Sequence, residues 1–299
     1  MSILTKLGST RPRSAMPPPA AAAYLQPRAL DLPKLDDVPQ HWMDDDVYLT
    51  ALFNALSLVF PSGERYFMDS VRALRSHVRE PKLLEDVRGF LGQEAMHSRK
   101  HADFNDWLSR FGINPAAVMA RVDADIAQHK VRRSPLQNLA VTCALEHLTT
   151  TMAEAWLTDD ALRAQADARI RTLWTWHALE ELEHKAVAYD VYLAAGGDYQ
   201  TRALMMAAIT IGFVFGIARL QRHLLQQQGT PLGRRARLRG LIRLWGPRGH
   251  FTRMIPQYLG YYAPSFHPSE RDHAALCQRF ERELRSTGQV RVLSEARHA

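Results

Sequence analysis

The chain has 299 residues, of which 46% are hydrophobic, so it can bury a large core, and this excludes an intrinsically disordered protein. Its two cysteines, Cys143 and Cys277, are far apart in sequence, which excludes a disulfide framework and favours a reducing compartment. The net charge of +7 is uneven, because residues 199–269 contain ten Arg and no Asp or Glu. A basic region therefore follows a mildly acidic one.

Residues 1–40 begin the chain with a Pro-rich and Ala-rich stretch. This stretch has neither the continuous apolar core nor the cleavage site of a secretory signal. Such a composition buries little apolar surface. We therefore predict a flexible N-terminal tail over residues 1–40 and a cytoplasmic protein.

The rest of the chain predicts an all-α fold, because apolar residues recur at three and four positions and Gly or Pro separates the segments. No alternating run of β-branched residues predicts a sheet. Pro61 predicts a kink or a break in the first helix. The predicted helices cover residues 44–78, 81–110, 114–129, 135–158, 161–195, 199–227, 233–246 and 269–285. The Gly196-Gly197 pair divides them into a bundle over 41–197 and an arginine-rich helical extension over 198–299, packed on the bundle.

Two predicted helices carry the pattern Glu-x-x-His, as Glu94 with His97 and Glu181 with His184. Residues three apart lie on one helix face, so the carboxylate and imidazole of each pair converge. A further glutamate, Glu64 or Glu146, precedes each pair by about the length of a helix and a turn. Two-metal four-helix bundles take one Glu from each of two helices and Glu-x-x-His from each of the others. The spacing therefore predicts a ferritin-like four-helix bundle with a C-terminal helical extension.

These glutamates and histidines share their helix faces with apolar residues, which predicts that they point into the bundle. Buried carboxylates are costly unless a cation balances them, so the cluster implies multivalent metal. Mixed carboxylate and imidazole donors suit two iron ions, with manganese as the alternative. The metal ligands that the spacing predicts are Glu64, Glu94, His97, Glu146, Glu181 and His184.

His177 joins this set because His177, Glu181 and His184 form one stripe at i, i+4 and i+7. The stripe resembles that of the arylamine N-oxygenase group of ferritin-like di-iron oxygenases, which implies that His177 is an additional ligand. The alternative is a histidine that donates to a ligating carboxylate or a backbone carbonyl. His101, one turn after His97, is a ligand or an outer partner by the same reasoning.

Neighbouring residues one or two positions off the stripes are predicted not to bind metal. They are His147, Glu154, Glu180 and Glu183. We expect Glu180 and Glu183 to face solvent or to pair with Arg171 and Lys185.

Three further phrases carry a second resemblance, which covers nearly the whole chain beyond the tail. They are Phe-Pro-Ser-Gly-Glu-Arg-Tyr-Phe at 60–67, Gly-Gln-Glu-Ala-Met-His at 92–97 and Pro-Ser-Phe-His-Pro at 264–268. These phrases resemble a bacterial family of predicted metal-dependent hydrolases. The resemblance implies a metal-dependent enzyme.

The extension contains an apolar run at 203–218, which is shorter than a usual membrane span and predicts a buried helix. The segment after it mixes Arg with Leu, Ile and Trp, as interfacial amphipathic helices do. We expect an anionic partner, which is either a membrane surface or anionic lipid at the inner membrane face, or a phosphate-bearing substrate such as an acyl thioester or phospholipid. No recognition motif accompanies the charge, which argues against nucleic acid. The sequence also leaves a homodimer as a possible partner arrangement.

The leading functional hypothesis is a di-iron carboxylate oxygenase or oxidase, which activates dioxygen and oxidises a small apolar or acyl substrate. It needs an external electron donor, because the sequence has neither a dinucleotide fingerprint nor a cysteine cluster for iron-sulfur. One alternative is a two-metal hydrolase that uses a bridging hydroxide. Another is a non-catalytic metal-binding protein.

Overall fold

The computed structural model describes residues 25–227 and 233–293, and helices dominate both ranges. The helices are α1 Val47–Leu74, α2 Pro81–Leu108, α3 Pro115–Lys130, α4 Pro135–Thr158, α5 Asp160–Ala164, α6 Ala168–His184, α7 Val187–Ala194, α8 Tyr199–Gln227, α9 Arg234–Trp245, α10 His250–Gly260 and α11 Ala274–Ser286. Single 3₁₀ turns lie at 75–77, 109–111 and 268–270. Two short strands, β1 Arg28–Leu30 and β2 Val290–Val292, form an antiparallel pair.

The core is a bundle in which α1 packs chiefly against α2, and α4 packs against α6. Helix α7 follows α6 in the chain and contacts α2 and α4, while α8 lies against α1 and α4. The predicted all-α bundle with a C-terminal helical extension is confirmed. Helix starts follow the sequence closely: Ser134 caps α4 with a complete capping box, and Pro135 occupies the first helical position.

The helix predicted over 161–195 is wrong as a single element, because the chain turns twice within it. Ala166 forms a β-bridge with Met43, and Asp167 then caps the start of α6. A second turn at Lys185 and Ala186 follows α6, where the Lys185 ammonium donates to the Arg271 carbonyl. Neither turn contains Gly or Pro, so no local signal in the sequence predicts them.

Pro61 lies inside α1, and the helix is assigned without a break from residue 47 to residue 74. The predicted break is therefore wrong. Proline has no N–H to donate to the carbonyl four residues earlier, which belongs to Ser57. The side-chain amide of Asn105, on α2, donates to that carbonyl over 2.9 Å. A neighbouring helix thus supplies the hydrogen bond that Pro61 removes.

Residues 25–40 lie within the segment predicted as a flexible tail, but they pack on the bundle. β1 pairs Arg28 with Val292, and both Leu30 and Leu35 are buried. Residues 1–24 lie outside the described residues. The strands were missed because three residues are too few to show a period of two.

Helix α8 carries the apolar run, and the expectation that it is buried is wrong. Leu204, Ile211 and Phe215 are 64%, 61% and 71% exposed. Among the described residues, α8 is the one helix long and apolar enough to cross a membrane, and 11% of its most apolar window is buried. One face packs on α1 and α4, and the other carries these exposed side chains.

Candidate metal centre

The seven predicted ligands come from four helices and meet inside the bundle. Glu64 lies on α1, Glu94 and His97 on α2, and Glu146 on α4. The other three, His177, Glu181 and His184, lie on α6. None of the seven is more than 4% exposed.

Their donor atoms form two overlapping groups, each of which could hold a metal ion. Atoms of Glu94, His97, Glu181 and His184 lie within 4.8 Å of one another, and so do atoms of Glu64, His97 and His177. His97 belongs to both groups.

One further predicted ligand, Glu146, extends this cluster, and a second contact links the two groups. Glu146 Oε2 lies 3.1 Å from His184 Nδ1, and Glu181 Oε1 lies 3.3 Å from His177 Nε2. The structure therefore brings all seven predicted residues together.

Many polar atoms of this cluster are buried without a hydrogen-bond partner among the described residues. They are both carboxylate oxygens of Glu64 and Glu94, both ring nitrogens of His97, Oε1 of Glu146, Oε2 of Glu181 and Nε2 of His184. Buried polar atoms in proteins are almost always paired. A concentration of unpaired oxygen and nitrogen donors at one point fits a pair of cations with mixed carboxylate and imidazole ligands.

Without metal, the carboxylates cannot all ionise. Burial raises the pKa of Glu94 far above its ordinary value, and the nearby charges of Glu146 and Glu181 raise it further. Burial, followed by the charge of Glu181, does the same to Glu64. Burial also raises the pKa of Glu146 to about 7, although His184 opposes that shift. Several of these groups therefore hold protons at neutral pH, and cations must displace them.

The histidines of the cluster differ in the direction of their pKa shifts, because they have different neighbours. Burial lowers the pKa of His97, and its proximity to His177 and His184 lowers it further. Burial also opposes charge on His184, but Glu146 and Glu181 outweigh it and raise the pKa to about 9. His97 is therefore neutral and free to donate a lone pair, whereas His184 must first lose a proton.

A chain of hydrogen bonds fixes the tautomer of His177. Asn105 donates its amide N–H to the Ser57 carbonyl, so its amide oxygen accepts from the Ser57 hydroxyl over 2.7 Å. The Ser57 oxygen must then accept from His101 Nδ1, 2.8 Å away. His101 Nε2 carries no proton in that tautomer and accepts from His177 Nδ1 over 3.0 Å. His177 Nε2 is left with a lone pair beside Glu181.

The expectation that Glu180 and Glu183 face solvent or pair with Arg171 and Lys185 is wrong. Glu180 is fully buried, and Arg28 donates to it from its backbone and its guanidinium. Glu183 accepts from both terminal nitrogens of the same guanidinium, at 2.7 Å each. Arg28 comes from the segment predicted as a tail, so no helical periodicity could reveal this partner.

Glu180 also faces the metal ligands. Its Oε2 lies 3.0 Å from His97 Nε2. Neither of these two atoms has a hydrogen-bond partner in the part of the chain that the structure describes, and Nδ1 of His97 lies 3.9 Å from Glu181. Burial raises the pKa of Glu180 to about 8, with Arg28 opposing the shift. Glu180, which Arg28 holds by hydrogen bonds, thus borders the predicted ligand His97.

Comparison with known proteins agrees with this geometry. A family model described as "Predicted metal-dependent hydrolase" matches residues 26–272. The chain belongs to this family. The match confirms the resemblance carried by the phrases at 60–67, 92–97 and 264–268, whereas the resemblance to arylamine N-oxygenases stays a prediction. No curated protein and no solved structure matches the chain.

In this member of the predicted metal-dependent hydrolases, an apolar cavity of about 80 Å³ adjoins the cluster at His177. One water molecule needs about 10–15 Å³ of such a cavity, so the cavity is several times larger than one water requires. Trp156, Trp174 and Phe60 are among the aromatic side chains of its wall. The cavity continues beneath α9 and α10, where Leu244, His250, Phe251 and Met254 line it.

Two other residues set aside in the sequence, Glu154 and His147, have their partners outside the cluster. Glu154 accepts hydrogen bonds from Arg271 and His273. The His147 Nε2 nitrogen lies 3.1 Å from the Gln257 carbonyl. Trp176 packs edge-on against His97, with ring centroids 4.8 Å apart.

Proposed function

We propose that the chain is a dinuclear metal enzyme that activates dioxygen and oxidises an apolar substrate. One observation carries the proposal: a carboxylate-rich donor cluster is wholly buried on helices and adjoins, at His177, a cavity with apolar walls. Four glutamates provide four negative charges when ionised, which matches two divalent or trivalent cations better than one.

The proposed ligands are the seven clustered residues, and the proposed metal is iron, with manganese as the alternative. When bound, the metal pair supplies electrons to dioxygen and accepts them back from a donor. The overall reaction converts a C–H or N–H group, dioxygen, two protons and two electrons into a hydroxylated product and water. The electrons come from an external reduced carrier.

The chain's own groups contribute positioning and exclusion of water. The apolar wall holds a substrate beside His177 and keeps bulk water from the reacting atoms. The hydrogen bond between His101 and His177 holds the His177 imidazole in one orientation. Carboxylates that hold protons in the metal-free protein become available to balance positive charge.

Hydrolysis is the second candidate, and the description of the family favours it. Two metals can activate water and polarise a carbonyl or phosphoryl group. Such a reaction requires water and a polar substrate group at the cluster. The apolar wall beside His177 suits a substrate that reacts at an unactivated carbon or nitrogen better.

Metal analysis combined with dioxygen consumption tests the proposal. We expect two irons per chain and an oxygen-dependent absorbance change when the reduced protein meets dioxygen. Glu94→Gln should abolish both, whereas Glu154→Gln, a matched control outside the cluster, should retain them. Two bound metals without any reaction toward dioxygen would favour hydrolysis instead, and a protein that binds no metal would refute both.

A further inference from the structure

Helices α9 and α10, together the arm, expose apolar side chains between arginines. On α9, Leu238, Leu241, Ile242 and Trp245 lie at i, i+3, i+4 and i+7 and are 47–57% exposed. Such spacing gives one continuous apolar face. On α10, Ile255 and Leu259 are also exposed.

The opposite side of α9 attaches the arm to the bundle. Gly240 lies so close to the Tyr48 ring that a Cβ atom would come within 2.5 Å of it. Leu244 is buried, and Arg243 pairs with Asp46 at the start of α1. The apolar face of α9 therefore points away from the bundle.

Arginines flank this apolar face. Arg235 and Arg239 follow one edge of α9, Arg237 lies on the other, and all three are exposed. Arg219 and Arg222 are exposed on the last turns of α8. No acidic residue occurs anywhere in 199–269 to neutralise them within this part of the chain.

Helix α8 adds a second exposed apolar face on the side of the bundle that the arm covers. Near its start, Arg202 donates to the carbonyls of Tyr261 and Ala263, just after α10. Near its end, Gln221 donates to the Tyr48 carbonyl, beside Gly240 of α9. Both ends of α8 are thus tied to the surroundings of the arm.

The cavity lies directly beneath the arm. Leu244 of α9 and Phe251 and Met254 of α10 line its outer part, and His177 of the metal cluster lines its inner part. Apolar side chains form nearly all of the wall between them. An extended apolar chain that entered beside α10 would therefore end at the metal ligands.

We propose that the arm docks on an anionic lipid bilayer and admits a lipid acyl chain into the cavity that ends at His177. This inference rests on the proposed function and names its substrate class. The arginines would contact lipid phosphates while Leu241, Ile242 and Trp245 enter the acyl region. The enzyme would then take its substrate from the membrane.

The charge distribution favours a bilayer over a second copy of the chain. A two-fold interface places the same patch of both copies face to face. Such an interface through α9 would bring two arginine-rich surfaces together without acidic partners from residues 199–269, and like charges repel. An anionic bilayer supplies both the opposite charge and the apolar phase.

Vesicle binding tests the docking step. The intact protein should bind vesicles of phosphatidylcholine with phosphatidylglycerol and bind pure phosphatidylcholine vesicles weakly. The triple variant Arg235→Gln, Arg237→Gln, Arg239→Gln should bind the anionic vesicles about tenfold less tightly or worse. Its matched control, with Arg75, Arg79 and Arg88 changed to Gln, removes equal charge from exposed positions near α2 and should bind normally.

Vesicles with brominated acyl chains test the entry step, because bromine quenches a tryptophan that it contacts. Trp245→Phe removes the exposed tryptophan of the arm, and the quenching that remains should report Trp156 and Trp174 in the cavity wall. Ala155→Phe, added to that variant, should fill the cavity and abolish the remaining quenching. Metal content should be unchanged in both variants.

These results separate the inference from the proposed function. Equal binding to anionic and neutral vesicles, or no quenching in Trp245→Phe, would overturn the inference even if the metal cluster consumed dioxygen. A stable dimer in solution that Trp245→Glu dissociates, without vesicle binding, would overturn it in favour of a second copy. Vesicle binding and quenching without dioxygen consumption would retain the inference and refute the oxidative proposal.

Discussion

The metal cluster and the arm depart from the usual distribution of side chains in opposite directions. The cluster buries four carboxylates and three imidazoles, whereas the arm and α8 expose leucine, isoleucine, phenylalanine and tryptophan. Charged residues are rarely buried unpaired, and large exposed apolar patches usually mark a contact surface. Each region is therefore understandable only with something absent from the chain itself: cations for the cluster and, as proposed, lipid for the arm.

Among the changes that test this contrast, Glu94→Met should have the largest effect on metal content and stability. We expect loss of at least one metal ion per chain, because Glu94 belongs to the group around His97 and His184. Compared with the metal-free natural protein, the metal-free variant should nevertheless unfold at a higher temperature. Its free energy of unfolding should be about 1–3 kcal/mol larger, because an apolar group replaces a buried carboxyl that has no partner. Elemental analysis and thermal unfolding measure the two effects.

A partly exposed glutamate outside the cluster is the control for that result. Glu85→Met lies on α2 outside the cluster and should change neither metal content nor, beyond about 0.5 kcal/mol, the free energy of unfolding. A Glu94→Met protein with full metal content would contradict the assignment of the cluster.

His101→Phe tests whether the outer partners of the cluster matter. The change removes the acceptor that holds the His177 tautomer, so we expect metal affinity to fall about 10–100-fold. His147→Phe removes another mostly buried histidine, whose Nε2 lies 3.1 Å from a backbone carbonyl, and should leave metal affinity unchanged. Competition with a chelator of known affinity measures both. Equal losses in the two variants would indicate general destabilisation.

The pH dependence of metal binding tests whether the buried cluster holds protons in the absence of metal. Ligation requires the deprotonated forms of Glu146, whose pKa is raised to about 7, and of His184, whose pKa is raised to about 9. Protons are therefore released on binding, and the affinity for Mn²⁺ should rise with pH from 6 to 8, by about tenfold per pH unit for each proton released. Titration followed by electron paramagnetic resonance measures this. A flat profile would show that the ligands are already deprotonated.

Substitutions in the arm should have the smallest effect on the metal cluster and on the stability of the bundle. The triple arginine variant of α9 should keep its metal content, and its free energy of unfolding should change by no more than about 0.5 kcal/mol, because these side chains are exposed. Chemical denaturation of the metal-loaded protein measures this. Loss of metal in this variant would mean that the two regions are coupled.

The sequence predicted the cluster well because its ligands repeat with the period of a helix. Glu64, Glu94, Glu146 and their histidines lie on apolar stripes, and the structure buries all of them. The residues that contact the cluster from outside could not be predicted from helical periodicity. Arg28 reaches Glu180 from 152 residues away, and Asn105 matters because of Pro61 on another helix. Such contacts depend on which surfaces pack together, and helical periodicity does not contain that information.

The exposure of α8 was missed for a related reason. An apolar run has the same composition whether the protein core or a lipid phase covers it, and only the packing shows which. The turn at Lys185 was likewise invisible, since its carbonyl partner on Arg271 is remote in sequence.

The β1–β2 pair has a consequence for how the protein is made. Arg28 is held in a strand whose partner, Val290–Val292, is synthesised more than 250 residues later. During translation β1 has no strand to pair with until β2 is made, although Glu180, which Arg28 contacts, is made earlier. The β1–β2 pairing that accompanies the contact of Arg28 with Glu180 can therefore form only after nearly all of these 299 residues have been synthesised.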